Sequence, residues 1–435
     1  MRSYDALYKL DGRVPLRQAI PFGLQHVLAI FVSNITPIIL LANVCGLEQS
    51  LSASLVQNAM IMAGIGTFIQ LFPLWKIGSR LPIVMGISFT FLSVSIFIAT
   101  TQGLGILMGA VIVGGIIEGI LGLFAKYWIK FITPVIAASV VTAIGFSLLG
   151  VGANSFAGGQ GAADFGAAHN WIVGGVTLIV CIVCQVFGKG FVKPLSILIG
   201  LIAGYILAIC MGMVDFSALK GVGVISLPKI LPFKPEFDLG AILSVTAIFL
   251  VSATETIGDS TALTSAVLGR DITNKEVSGS IACDGFISSL SGVLGCIPIT
   301  SFSQNIGLAR LTKVVNRYAI ASGAVIMILA GLFPAFGALL TTVPQAVLGG
   351  CSLMMFGSIL MAGFNMISKS YEADSGRTTI IVSVALSVGL GFTAAPDMFN
   401  IFPQMVRTIF AENCVAVVFI LALLLDLIIP KKATN

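Results

Sequence analysis

Glu255 and Asp259 stand in the apolar run LVSATETIGDSTA, and a spacing of four puts both carboxylates on one face of a helix. An ionisable side chain at the centre of a bilayer costs about 2.5–3.5 kcal/mol on insertion scales, so each one found there needs a reason. Two acids that close in a poorly hydrated place resist ionising together. A site that takes up and releases a proton requires that property. Asp284, in IACDGFISSL, is a third acid at membrane depth, with broken backbone or neighbouring Ser and Thr hydroxyls as its expected partners. His26, in PFGLQHVLAIF, reads first as hydrogen-bonded structure and second as a neighbour of the same site. Glu118, in GGIIEGILG, sits among small residues as in close helix packing and reads as structural. Asp426 is expected to reach the interface at the end of the last apolar run, and His169 to be solvated in a Gly/Ala-rich loop.

The elements that carry these groups follow from composition. The chain has 435 residues, 57% hydrophobic and 9% charged, with mean hydropathy +1.06. A soluble domain carries about 25% charged residues, so this is an all-α polytopic membrane protein. The net charge of +5 belongs to loops and implies no nucleic-acid partner. The charged start MRSYDALYKLDGRVPLRQ runs into apolar sequence without a small-residue cleavage site, so a removed signal peptide is not expected. At roughly 20 residues per span, fourteen segments fall near 17–44, 51–73, 82–99, 104–124, 131–152, 171–188, 194–214, 238–265, 276–295, 296–312, 318–340, 344–365, 377–396 and 409–429.

Cytoplasmic loops collect Lys and Arg, which checks that count independently. With both termini inside, the inner side receives 19 of the 23 basic residues, Arg2, Lys431 and Lys432 among them. The outer side keeps Lys220, Lys229, Lys234 and Arg407. The eight cysteines mostly fall inside apolar spans as small hydrophobes. The pair Cys181-x-x-Cys184 has no second pair or histidine beside it, and metal binding is not expected.

Two stretches do not read as continuous helices. In Cys296–Lys313, CIPITSFSQNIGLARLTK, Pro298 removes a backbone donor and the run Ile297-Pro298-Ile299-Thr300 reads as extended. Gln304, Asn305 and Gly307 then open a short helix that ends at Arg310 and Lys313. Arg80–Phe89, RLPIVMGISF, is a second stretch of this kind. Pro82 and Pro298 lie 216 residues apart, close to half of 435, and each falls in the third span of a seven-span half. An odd number of spans per half makes the two halves an inverted 7+7 repeat. Matched breaks in two such halves point to a midplane ligand site. Extended backbone at that depth is tolerated only inside protein or beside a cavity. The two extended pieces are predicted to pair with each other, with both short-helix N-termini facing a common centre.

These residues resemble the nucleobase–ascorbate transporter family, also called the nucleobase:cation symporter-2 family. Its signature is Gln or Glu, then Asn-x-Gly, four residues, and Thr followed by Lys, Arg or Gly. Gln304-Asn305-Ile306-Gly307-Leu308-Ala309-Arg310-Leu311-Thr312-Lys313 fills every position. Gly23-Leu24-Gln25-His26 and Glu255-Thr256-Ile257-Gly258-Asp259 are similar to further family elements. The resemblance runs the whole length. It implies a core subdomain from 1–124 and 238–342, and a gate subdomain from 125–237 and 343–435 that usually forms the homodimer contact. It also implies that Glu255 and Gln304 hold the polar edges of a base, with Phe89 against its ring. Backbone groups at Ser88 and Ser303 and the signature residue Asn305 complete the substrate set, the acid matching Asp284 is linked to transport activity, and the histidine matching His26 tunes affinity. The candidate proton-coupling set is Glu255, Asp259, Asp284 and His26.

The chemistry of an oxidised purine agrees. Such a base presents adjacent N–H donors and C=O acceptors. A carboxylate accepts from ring N–H groups, an amide donates and accepts at once, and Phe89 offers a π face. Gln304 resembles the xanthine and uric acid branch, whereas uracil carriers have Glu there. Asp259 stands where uracil carriers tend to have His. The expectation is import of xanthine, with uric acid second, by proton symport and elevator-type movement in the cell membrane, with no cofactor. Sodium coupling and uracil or other nucleobase uptake are the near alternatives. An anion exchanger or channel of the same architecture would need a cation at the breaks, and none lies between Ile83 and Phe89 or between Ile297 and Ile306. An intramembrane enzyme finds no HExxH, Walker A or Gly-x-Ser-x-Gly motif to support it.

Overall fold

The structure, a computed structural model, describes residues 5–219, 222–403, 406–407, 410–411 and 413–430. Arg2, Lys220, Lys431 and Lys432, used in the charge count, lie outside them. The described chain is mostly helical. The first half runs α1 (Leu16–Val44), α2 (Gln49–Leu71), β1 (Met85–Ile87), α3 (Leu92–Thr101), α4 (Leu104–Leu123), α5 (Ala125–Trp128), α6 (Pro134–Phe156), α7 (Ala168–Phe187) and α8 (Ser196–Cys210). The second runs α9 (Leu239–Ala266), α10 (Asn274–Val293), β2 (Ile299–Ser301), α11 (Ser303–Thr312), α12 (Arg317–Leu332), α13 (Pro334–Thr341), α14 (Gln345–Ala373), α15 (Ser375–Ala394) and α16 (Cys414–Ile428).

Among the described residues, eight helices are long and apolar enough to cross a bilayer alone. A ninth appears if α12 and α13, bent by 81°, are taken as one span. The segment expected over 318–340 is thus a bent pair of helices and not one straight helix. Pro334, at the first position of α13, has no N–H to continue α12 and its ring clashes with the preceding turn. Helix starts elsewhere follow the local chemistry. Thr273 and Glu276 form a reciprocal capping box at α10, and Asp238 accepts from Ala241 N at the start of α9, each satisfying an N–H the helix leaves free.

The packing carries the internal symmetry. α4 lies along α10, and its counterpart α12 lies along α2. Likewise α4 touches α9 where α12 touches α1. Exchanging the halves turns each contact of the first pair into one of the second. Small residues allow the close approaches, since a Cβ on Gly122 would stand 2.3 Å from Ala282 N, and one on Gly23 2.6 Å from Ala319 O. A separate set of helices, α6, α7, α8, α14, α15 and α16, packs mostly on itself, with α14 along α6 and α16 along α15.

The two short strands pair antiparallel at the centre, with Met85 opposite Ser301 and Ile87 opposite Ile299. Ser88 N donates to Pro298 O at 2.9 Å and Phe302 N to Val84 O at 3.0 Å, which extends the ladder at both ends. A two-stranded ribbon leaves its outer edges unpaired, and hydrocarbon supplies no partner. Side chains close both edges. On β1, Met85 N donates to Thr67 Oγ1 at 2.9 Å and Ile87 N to Asn34 Oδ1 at 2.8 Å. On β2, Ile299 N donates to Ser288 Oγ at 3.1 Å and Ser301 N to Asp284 Oδ2 at 3.3 Å. Asn34→Ala leaves the Ile87 N–H buried without an acceptor, a loss of about 1–3 kcal/mol. The expected result is a lowered unfolding temperature in detergent, and an unchanged one would show that the strand edge is not held from α1.

Candidate functional site

Each half-helix begins where its strand ends. After β1, a 3₁₀ turn over Phe89–Phe91 leads into α3. After β2, Phe302 is extended and α11 begins at Ser303. The first-turn N–H groups of both helices, with the positive ends of their dipoles, therefore lie beside the strand pair.

Three of the intramembrane acids converge there, one on the first broken segment and two on the second. Glu255 Oε2 accepts from Thr90 Oγ1 at 2.8 Å, in the turn after β1. Asp259 Oδ2, one helical turn further along α9, accepts from Ser303 Oγ at 2.6 Å, at the start of α11. Asp284, fully buried on α10, accepts from Thr256 Oγ1 of α9 at 2.5 Å and from Ser301 N and Oγ of β2 at 3.2–3.3 Å. Glu255 and Asp259 are half-buried, Ser303 and Gly258 are exposed, and Gln304 is half-buried. One face of the site is thus open beside two carboxylates and an amide. The structure brings Glu255, Asp259, Asp284, Ser303 and Gln304 together around the strand pair.

Four of the predicted residues sit differently from a simple contact set. Asn305 is fully buried; its Oδ1 meets His26 Nδ1 and its Nδ2 donates to Pro82 O at 2.9 Å. Both polar atoms of its amide are engaged, so the geometry makes Asn305 a brace that ties α1 and both broken segments together. His26 is buried to the same degree and belongs to that brace. The ring of Phe89 is 6% exposed and stands edge-on to Phe356 of α14, 5.3 Å between centroids at 80°. The Ser88 N–H is taken by the ladder to Pro298, so that backbone donor is occupied.

Thr90, Thr256, Ser301, Asn34, Thr67 and Ser288 were not singled out by the sequence, although they hold the acids and the strand edges. Hydroxyls are common in membrane helices, and their spacing carries no signal until the strands are placed. Phe356 could be found only as an aromatic facing Phe89 from another helix.

The Permease family matches residues 17–398. Xanthine permease XanQ of Escherichia coli is 34% identical over 98% of this chain and 94% of its own length. Uric acid permease PucK of Bacillus subtilis is 34% identical over 88% of this chain and 89% of its own. Among solved structures, the transmembrane domain of a cyanobacterium bicarbonate transporter, BicA, aligns over 97% of this chain and 99% of its own with a TM-score of 0.58 at 15% identity. At that identity the likeness is one of fold alone.

Proposed function

The chain belongs to the nucleobase–ascorbate transporter family, and from that premise we propose that this permease imports an oxidised purine, xanthine first and uric acid second, by proton symport. It is an integral membrane transporter of nucleobases and not an enzyme. The observation that carries the finer reading is the pair of half-helix starts with Glu255 and Gln304 on their open side. In this reading Glu255 accepts from the ring N–H groups of the base. Gln304, which makes no side-chain hydrogen bond among the described residues, donates to a carbonyl and accepts from an N–H. Phe89 offers a ring face once Phe356 withdraws, and Ser303 and the backbone at Ser88 line the cradle. Asn305 and His26 hold the half-helices in register.

Glu255, Asp259 and Asp284 are the proton-coupling groups of the proposal. Each carboxylate in this conformation accepts from a hydroxyl on a different element, so moving an element changes which acid is stabilised as a charge. Residues 1–124 and 238–342 form the moving core, and 125–237 and 343–435 the gate. The gate carries the most exposed long helices, α7 and α15, whose most apolar windows are 28% buried, and a homodimer through that surface is part of the proposal. Both termini are cytoplasmic.

The test is uptake of radiolabelled xanthine and uric acid into vesicles under imposed proton or sodium gradients. Xanthine accumulation should follow the proton gradient and collapse with a protonophore. Accumulation that follows sodium alone would replace the coupling ion, and indifference to purines would end the substrate reading. An anion-exchange reading draws on the fold likeness to the bicarbonate transporter alone, and no cationic residue lies between Ile83 and Phe89 or between Ile297 and Ile306 to hold an anion at the breaks. A narrower outcome concerns Gln304→Glu. Replacing a donor–acceptor amide with an acceptor-only group removes one hydrogen bond and adds a repulsion, so xanthine affinity should fall about tenfold or more, the equivalent of about 1.4 kcal/mol. Unchanged competition by xanthine would show that position 304 does not touch the base.

A further inference from the structure

Glu118 lies on α4 at membrane depth and is 1% exposed. Neither of its carboxyl oxygens has a hydrogen-bond partner among the described residues. The other acids of the membrane interior each have a hydroxyl, amide or guanidinium donor. The packing around it is close to backbone on backbone. A Cβ on Gly285 of α10 would meet Gly119 N at 2.2 Å and Gly115 O at 2.7 Å. Glu118 is chain neighbour to Gly119, and Asp284 to Gly285, so the two acids sit on either side of this seam. Gly115 and Gly122 both meet α10, and Glu118, three residues from one and four from the other, shares that face of α4. The other elements packed on α4 add no cation at this depth. α9 brings Glu255 and Asp259, which are turned to the strand pair, and α3 carries no ionisable residue. Lys234 and Glu236 approach only the far end, at Gly105 and Gly109.

A buried carboxylate without protein donors is severely destabilised, while a neutral carboxylic acid is tolerated. Asp284 has the opposite surroundings, with Thr256 Oγ1 and Ser301 N and Oγ all donating to it.

We propose that Glu118 is a second proton-binding site, sharing one proton with Asp284 across the seam between α4 and α10. In the present conformation the proton is on Glu118 and the negative charge on Asp284. When β2 moves and Ser301 releases Asp284, the proton leaves the Glu118 carboxyl and bonds to an Asp284 oxygen, and the single charge passes to Glu118. The pair keeps one proton and one charge throughout. This rests on the proton-coupled reading, and it makes movement of the strand pair the event that relocates the proton.

Two measurements test it. In vesicles, Glu118→Gln should lower xanthine uptake about tenfold or more and remove its rise on external acidification, while equilibrium xanthine binding stays within about threefold of wild type. Uptake with the wild-type response to acidification would overturn the proposal and leave Glu118 a packing residue. The second measurement does not depend on transport or on that variant folding. Among the described residues, Glu118 and Glu255 are the two glutamates in the interior of the spans, so carbon-13 labelling of glutamate in a Glu255→Gln protein leaves Glu118 as the labelled carboxyl buried among them. Its infrared spectrum should contain a label-sensitive carboxylic-acid C=O band, and Asp284→Asn should change the pH at which that band disappears. Absence of the band, or its indifference to Asp284→Asn, would overturn the shared proton. A wild-type protein driven by sodium would refute the coupling reading above, and the infrared result would still decide whether Glu118 and Asp284 share a proton.

Discussion

Glu255→Gln should reduce purine accumulation about a hundredfold or more while the protein still reaches the membrane in normal amount. The amide is nearly the same size and keeps an oxygen that can accept from Thr90 Oγ1, so the contact between α9 and the turn after β1 survives. What disappears is the charge and one of two acceptor oxygens. Hydrogen bonds to a charged group are worth about 1.5–3 kcal/mol each, and a base that offers two N–H groups to one carboxylate loses most of both. A Gln amide facing a ring N–H also presents donor to donor. The variant can no longer take a proton, so coupling should fail together with binding. The measurement is labelled xanthine uptake normalised to membrane protein, with unfolding temperature as the control on structure. Normal accumulation would remove Glu255 from the site.

The broken segments were legible because proline is legible. Pro82 and Pro298 remove donors at matching places in two apolar halves, and the extended pieces they open do pair. The acids were legible because charge in an apolar run is costly. The bend at Pro334 was missed, although the same rule applies, because it falls near the end of an apolar run that looked long enough to finish. Asn305 was read as a substrate contact from its place in the signature, but the closing of α1 against both breaks occupies its amide. Glu118 was read as structural from its small neighbours, and those neighbours do give the close seam. No sequence pattern could say that the seam would leave its oxygens without donors. The hydroxyls at 90, 256, 288 and 301 acquire meaning only from tertiary distance, since any membrane helix contains several.

The strand pair depends on one side chain that is not there. Gly86 sits in the middle of β1, opposite Thr300. A Cβ there would stand 2.4 Å from Phe302 Cε2 and 2.8 Å from Asn34 Oδ1. Neither neighbour can give way independently. Phe302 N is tied to Val84 O and leads directly into α11, and Asn34 Oδ1 is the acceptor for Ile87 N. Gly86→Val should therefore cost the 1–3 kcal/mol typical of overpacking, and about 1–3 kcal/mol more if Asn34 is pushed off Ile87 N. Spread over the strands, the displacement would move Ser301 and Thr90 away from the acids they hold. The expected outcome is a clear fall in unfolding temperature and purine uptake reduced about tenfold or more, with Gly86→Ala intermediate. Gly150 on α6 has no atom within 4 Å of the same position, so Gly150→Ala should leave both readings unchanged and serves as the control for inserting a methyl group into a membrane helix. If Gly86→Val unfolds and transports like the wild type, the strands separate readily, and the acids must be held by something other than the ribbon between the half-helices.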